Sequence, residues 1–173
     1  MGRLLLVPIA VWLLVDERAA TAFWVFVTAG ISDAIDGFLA RRFNARTPIG
    51  ALLDPIADKT LLVSVYVTLG IEGQLPIWLV ILVVFRDLLI VGGFLLLRAV
   101  SYTVGAQPLV ISKLNTACQI ALVAMVLARL GLSLNFPIAE HGFIYAVAVT
   151  TFLSGAGYVA RWTKALAGLE QVS

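Results

Sequence analysis

Four aspartates, Asp33, Asp36, Asp54 and Asp58, are spaced so that they could act as one group. Asp33 and Asp36 stand three residues apart, which puts them on one face of a helix. Gly37 and Ala40 extend that face without bulk, and Arg41 ends the row. Gly50, Asp54 and Asp58 follow at intervals of four, a second stripe of two carboxylates beyond a gap. A short turn between two helices usually makes them antiparallel neighbours, so the stripes are expected to face each other. Four convergent oxygen ligands suit a hard divalent cation such as Mg²⁺ or Mn²⁺. The small residues leave room beside it for something flat or phosphorylated.

The setting makes this placement costly. The chain has 173 residues, 61% hydrophobic and 13% charged, with a mean hydropathy of +1.03. Soluble domains carry about a quarter charged residues, so the composition is that of a membrane protein. Its length suits one domain, 1–173. A carboxylate at the centre of a spanning helix costs ~3 kcal/mol. Four in two adjacent helices need something to offset the charge. Arg41, Arg42, Arg46 and Lys59 could do so as an architectural ion-pair network. A shared metal ion explains the spacing better.

Apolar runs at about 3–15, 19–42, 48–70, 76–98, 108–132 and 142–164 predict an all-α fold, a bundle of six transmembrane helices. Breaks at "DERA", "RRFNART", "EGQLP" and "NFPIAEHG" separate them. The short alternating runs of a barrel are absent. The opening "MGRLLLVPIAVWLLV" could pass for a secretory signal, but further spans follow it and a first spanning helix fits better. Arg3, Arg41, Arg42, Arg46, Arg98, Arg161 and Lys164 gather on one side, with Lys113 close by. Arg18 and Arg129 share the other with Asp16, Glu17, Glu72 and Glu140. The positive-inside rule then sets both termini and the aspartates towards the cytoplasm, where nucleotides are available. The expected location is a bacterial inner membrane. A net charge of +2 without a long basic run argues against nucleic acid, and the single Cys118 excludes a disulfide framework.

"DGFLARRFNARTPIGALLDPIAD" resembles the signature of the CDP-alcohol phosphatidyltransferases: DGxxAR, eight residues, then GxxxDxxxD, with Asp33 matching a further family aspartate. The resemblance implies a six-helix membrane enzyme, usually a homodimer, with a cavity open to the cytoplasmic leaflet. It would transfer a phosphatidyl group from CDP-diacylglycerol to an alcohol and release CMP. Carried over by position, Asp33, Asp36, Asp54 and Asp58 would hold one or two Mg²⁺ or Mn²⁺ ions, with Asp58 also the catalytic base. Gly37, Ala40, Arg41 and Gly50 would line the CDP-donor site. Members commonly carry an amphipathic segment ahead of the Arg-containing first span. Here "MGRLLLVP" begins almost at that Arg, so either the start lies upstream or a membrane-surface element is missing.

The acceptor is read from weaker signals. Arg86 in the fourth span and Lys113 at the start of the fifth could hold an anionic acceptor. Alternatively Arg86 and Asp87 neutralise the bundle interior, and Lys113 snorkels to the interface. "FRDLL" and "ISKLNTACQ" look more like the cardiolipin synthases of the family than its glycerophosphate-using branch, which typically has an RE pair and a GKxKT-like sequence. Phosphatidylglycerol is therefore the expected acceptor, with glycerol 3-phosphate the alternative. A divalent-cation transporter is the rival of another class, although the acidic cluster lies near one face only.

Overall fold

The computed structural model describes the backbone of residues 2–42, 48–99 and 110–170, and the side chains of 6–32, 35, 59–93 and 110–163. These residues form six helices: α1 (Gly2–Val15), α2 (Ala19–Arg42), α3 (Pro48–Ile71), α4 (Ile77–Ala99), α5 (Val110–Leu132) and α6 (Pro137–Glu170). The boundaries follow the apolar runs closely. The main departure is α6, which begins at Pro137 rather than near 142. Proline suits a first helical turn, where its missing N–H has no partner to lose. Glu140 in that turn complements the helix dipole and accepts a hydrogen bond from Arg129 Nε at 2.9 Å. Polar residues that read as loop are thereby drawn into the helix.

Two turns are tight for local reasons. After α1, Arg18 N–H donates to Leu13 O and Glu17 N–H to Leu14 O. That pairing is a Schellman cap, and it holds Glu17 in the left-handed region at φ 58°. After α3, Gln74 N–H donates to Leu69 O and Gly73 N–H to Gly70 O, with Gly73 at φ 68°. Here glycine takes the left-handed position without a Cβ penalty.

The six helices close into a ring in the order α1, α2, α5, α6, α4, α3, and α5 also touches α3 across the interior. Tyr66, Leu69, Leu79, Leu122, Val123, Val126, Leu127 and Val147 fill the centre, each 0–1% exposed. Large apolar side chains cover the outside, among them Trp12, Trp24, Ile81, Phe85, Leu88 and Phe152. Arg86, Asp87, Asn115, Gln119, Thr151 and Ser154 are buried. Val110–Leu132 and Pro137–Thr163 are each long and apolar enough to cross a bilayer.

Among the described residues α1 packs against both α2 and α3. Yet α1 has 14 residues against the 24 of α2. As an antiparallel partner it runs beside α2 only as far as about Ser32.

Candidate active site

The eight residues carried over from the motif occupy helical backbone. Asp33, Asp36, Gly37, Ala40 and Arg41 fall in the last turns of α2, and Gly50, Asp54 and Asp58 in the first turns of α3. The spacing of the two stripes is thus realised on regular helices. Their side chains lie outside the described residues, as do residues 43–47 of the connecting turn. Among the described residues no three His, Cys, Asp or Glu side chains gather as a metal site.

A cavity of about 450 Å³ opens between α2, α3 and α5. Phe26, Val27, Ala29, Gly30 and Ile31 of α2 wall it just before Asp33, and Lys59, Leu61 and Leu62 of α3 just after Asp58. Thr116, Gln119, Ile120 and Ala124 of α5 and Asp87 of α4 complete it. Among the described residues α2, α3 and α5 thus share one hollow. Most of the lining is apolar, with the ionic groups Lys59 and Asp87 on its wall.

Behind that wall runs a buried polar network. Asp87 Oδ1 accepts from Lys59 Nζ at 2.6 Å and from Arg86 Nη1 at 2.5 Å. Arg86 Nε and Nη2 donate to Ser154 Oγ at 3.2 and 2.6 Å, and Nη2 also to Ser112 Oγ. One carboxylate thus answers two cations, so the three groups together keep a net positive charge. Next along α5, Asn115 Oδ1 accepts from the hydroxyls of Thr150 and Thr151, both at 2.8 Å. Tyr66 Oη donates to the backbone oxygen of Gln119 at 3.3 Å. These bonds tie α3, α4, α5 and α6 together at one level.

The two residues expected to meet the acceptor are placed differently from each other. Arg86 is 2% exposed, its guanidinium is held by Asp87, Ser112 and Ser154, and it stands outside the cavity lining. Lys113 is exposed at the start of α5. Among the described residues the cation that lines the cavity is Lys59, which sequence reasoning considered only as a partner for the aspartates. Its partner is Asp87, and its side chain keeps 30% of its surface accessible. The signal available in the sequence was its position directly after Asp58.

The described residues form an all-helical bundle with large apolar side chains outside and a hollow between α2, α3 and α5. Comparison with known proteins makes the assignment narrower. Residues 1–153 match the family model described as CDP-alcohol phosphatidyltransferase, and the chain belongs to that family. It is 32% identical over 172 residues to a cardiolipin synthase (CMP-forming) / mitochondrial hydrolase fusion protein of Schizosaccharomyces pombe, covering 91% of this chain and 29% of that protein. It is 36% identical over 180 residues to the chloroplastic CDP-diacylglycerol–glycerol-3-phosphate 3-phosphatidyltransferase 1 of Oryza sativa subsp. japonica, covering 91% and 54%. A probable phosphatidylglycerophosphate synthase of Mycobacterium tuberculosis is 35% identical over 178 residues, covering 99% of this chain and 82% of that one. The chain thus spans under a third of the first of these relatives and about half of the second.

Proposed function

We propose that this chain is a single six-span membrane domain, working as a homodimer, that moves the phosphatidyl group of CDP-diacylglycerol onto phosphatidylglycerol. The products are cardiolipin and CMP. The observation that carries the reading is the hollow beside the DGxxAR…GxxxDxxxD register, apolar along most of its wall and cationic at Lys59. An apolar exterior around an interior that buries Arg86, Asp87, Asn115 and Gln119 supports a lipid setting. The charge asymmetry of the helix ends favours a cytoplasmic-face site, in a bacterial inner membrane.

In this reading Asp33, Asp36, Asp54 and Asp58 hold Mg²⁺ or Mn²⁺. The donor set fits, being hard oxygen ligands at helical spacing on two elements that flank one cavity. Bound there, the ion would polarise the pyrophosphate oxygens and offset charge on the departing CMP. Gly37, Ala40, Arg41 and Gly50 take the cytidine and pyrophosphate. Asp58 accepts the proton of the acceptor hydroxyl, whose oxygen attacks the phosphatidyl phosphorus. The new P–O bond forms as the bond to CMP breaks. Lys59, one residue on, meets the acceptor's phosphodiester, aided by the net positive charge it shares with Arg86 and Asp87. Lys113 can draw anionic headgroups towards the site from the membrane surface.

A second reading, with glycerol 3-phosphate as acceptor, has support in the names of two relatives, a CDP-diacylglycerol–glycerol-3-phosphate 3-phosphatidyltransferase and a probable phosphatidylglycerophosphate synthase. That acceptor has no hydrocarbon for the apolar walls. Family membership and apolar deeper walls both count against a divalent-cation transporter. The deciding experiment gives purified protein CDP-diacylglycerol, Mg²⁺ or Mn²⁺, and each acceptor separately. CMP release with phosphatidylglycerol is expected. Release with glycerol 3-phosphate alone would replace this reading by the second.

A further inference from the structure

Among the described residues one buried polar group of the cavity wall has no partner. Gln119 is 1% exposed and lines the hollow, and its Nε2 meets no acceptor among the described residues. Buried amide N–H groups almost always find an acceptor, and leaving one without is costly. Thr116, a turn earlier on the same wall, directs its proton to Ser112 O at 3.1 Å, which leaves its oxygen free to accept. Around these two groups the walls are hydrocarbon: Phe26, Ala29, Leu61, Leu62, Ile120 and Ala124. The occupant that fits combines three features. It has an apolar chain, a hydrogen-bond acceptor on that chain, and an anionic group within reach of Lys59.

We propose that the cavity seats one acyl chain of the lipid acceptor, with Gln119 Nε2 donating to that chain's ester carbonyl. This inference rests on the reaction proposed above and adds the means by which the acceptor is chosen. The phosphodiester at Lys59, the ester at Gln119 and the chain against α2 and α5 fix the acceptor at three points. Its free glycerol hydroxyl is thereby kept near Asp58, the neighbour of Lys59 on α3. The assignment is to the acceptor because the cavity's polar groups belong to α5 and to the Lys59–Asp87 pair. The donor residues lie on the far side of the aspartates, towards the α2–α3 turn. Glycerol 3-phosphate has neither acyl ester nor chain, so it would leave the Gln119 amide unsatisfied. A site built to hydrogen-bond a substrate group discriminates strongly against an analogue without it.

Gly30 offers the test. It lines the cavity, and a Cβ built on it meets no atom within 4 Å. Gly30→Leu therefore narrows the hollow without forcing backbone apart, and it replaces a poor helix former by a good one. With the full chain in lipid–detergent micelles, we expect the KM for long-chain phosphatidylglycerol to rise about tenfold or more in Gly30→Leu. The KM for CDP-diacylglycerol should stay unchanged, and a short-chain phosphatidylglycerol should be used equally by variant and wild type. Gln119→Leu should raise the same KM with either chain length, since the ester remains. As a readout independent of turnover, phosphatidylglycerol should raise the thermal midpoint of the wild type and not that of Gly30→Leu. Should Gly30→Leu fail to fold, Ala124→Leu makes the same test from α5. An unchanged acceptor KM in these variants, or a rise confined to CDP-diacylglycerol, overturns the assignment while the reaction stands. CMP release with glycerol 3-phosphate and none with phosphatidylglycerol overturns both.

Discussion

Replacing Asp87 by leucine should destabilise the bundle more than any surface change, and the amount follows from its two contacts. Lys59 Nζ and Arg86 Nη1 both bind Asp87 Oδ1, at 2.6 and 2.5 Å. The two nitrogens therefore lie no more than about 5 Å apart, and at an effective dielectric constant near 20 two such cations repel by roughly 3 kcal/mol. Arg86 cannot escape, because it is buried and pinned to Ser112 and Ser154. Removing one partner of a buried ion pair typically costs about 3–5 kcal/mol, in line with that figure. For a chain of this size, about 3 kcal/mol lowers the thermal midpoint by roughly 6–12 °C. The assay is thermal unfolding of purified protein in detergent, followed by circular dichroism. The double variant Arg86→Met, Asp87→Leu is the control. It removes the stranded Arg86 cation, and with it the repulsion on Lys59, and should recover most of the loss. A midpoint for Asp87→Leu equal to wild type would refute the reasoning, and so would a double variant no more stable than the single one.

Two further outcomes test separate parts of the account. Asp58→Asn should lower CMP release by at least ~100-fold while the far-ultraviolet spectrum and thermal midpoint hold, since the amide cannot serve as a base; wild-type rates would remove Asp58 from catalysis. Gly131→Ala should lower the midpoint by several degrees, at a cost of ~1–3 kcal/mol. A Cβ there would sit 2.5 Å from the Cα and N of Ala20, backbone atoms that cannot rotate away, so α2 and α5 must part. An unchanged midpoint would show that this crossing is looser than described.

The helices were legible in the sequence because hydrophobic runs of spanning length and their Gly, Pro and charged breaks are local features. Gly73 and Pro48 end and begin helices wherever the rest of the chain lies. The register of Asp33, Asp36, Asp54 and Asp58 is local too, since it needs only helical periodicity within α2 and α3. The start of α6 was missed because its first turn depends on Arg129 reaching Glu140 from another helix.

What only the tertiary structure decided is which helices stand side by side. Joined by a short turn, α2 and α3 read as neighbours; among the described residues α1 packs against both, and α2, α3 and α5 enclose a hollow. Lys59 finds Asp87 across 28 positions, and Arg86 finds Ser154 across 68. No spacing rule spans such separations. Pairings of that range are settled by the packing of whole helices, where each buried charge takes the partner that the ring order brings within reach.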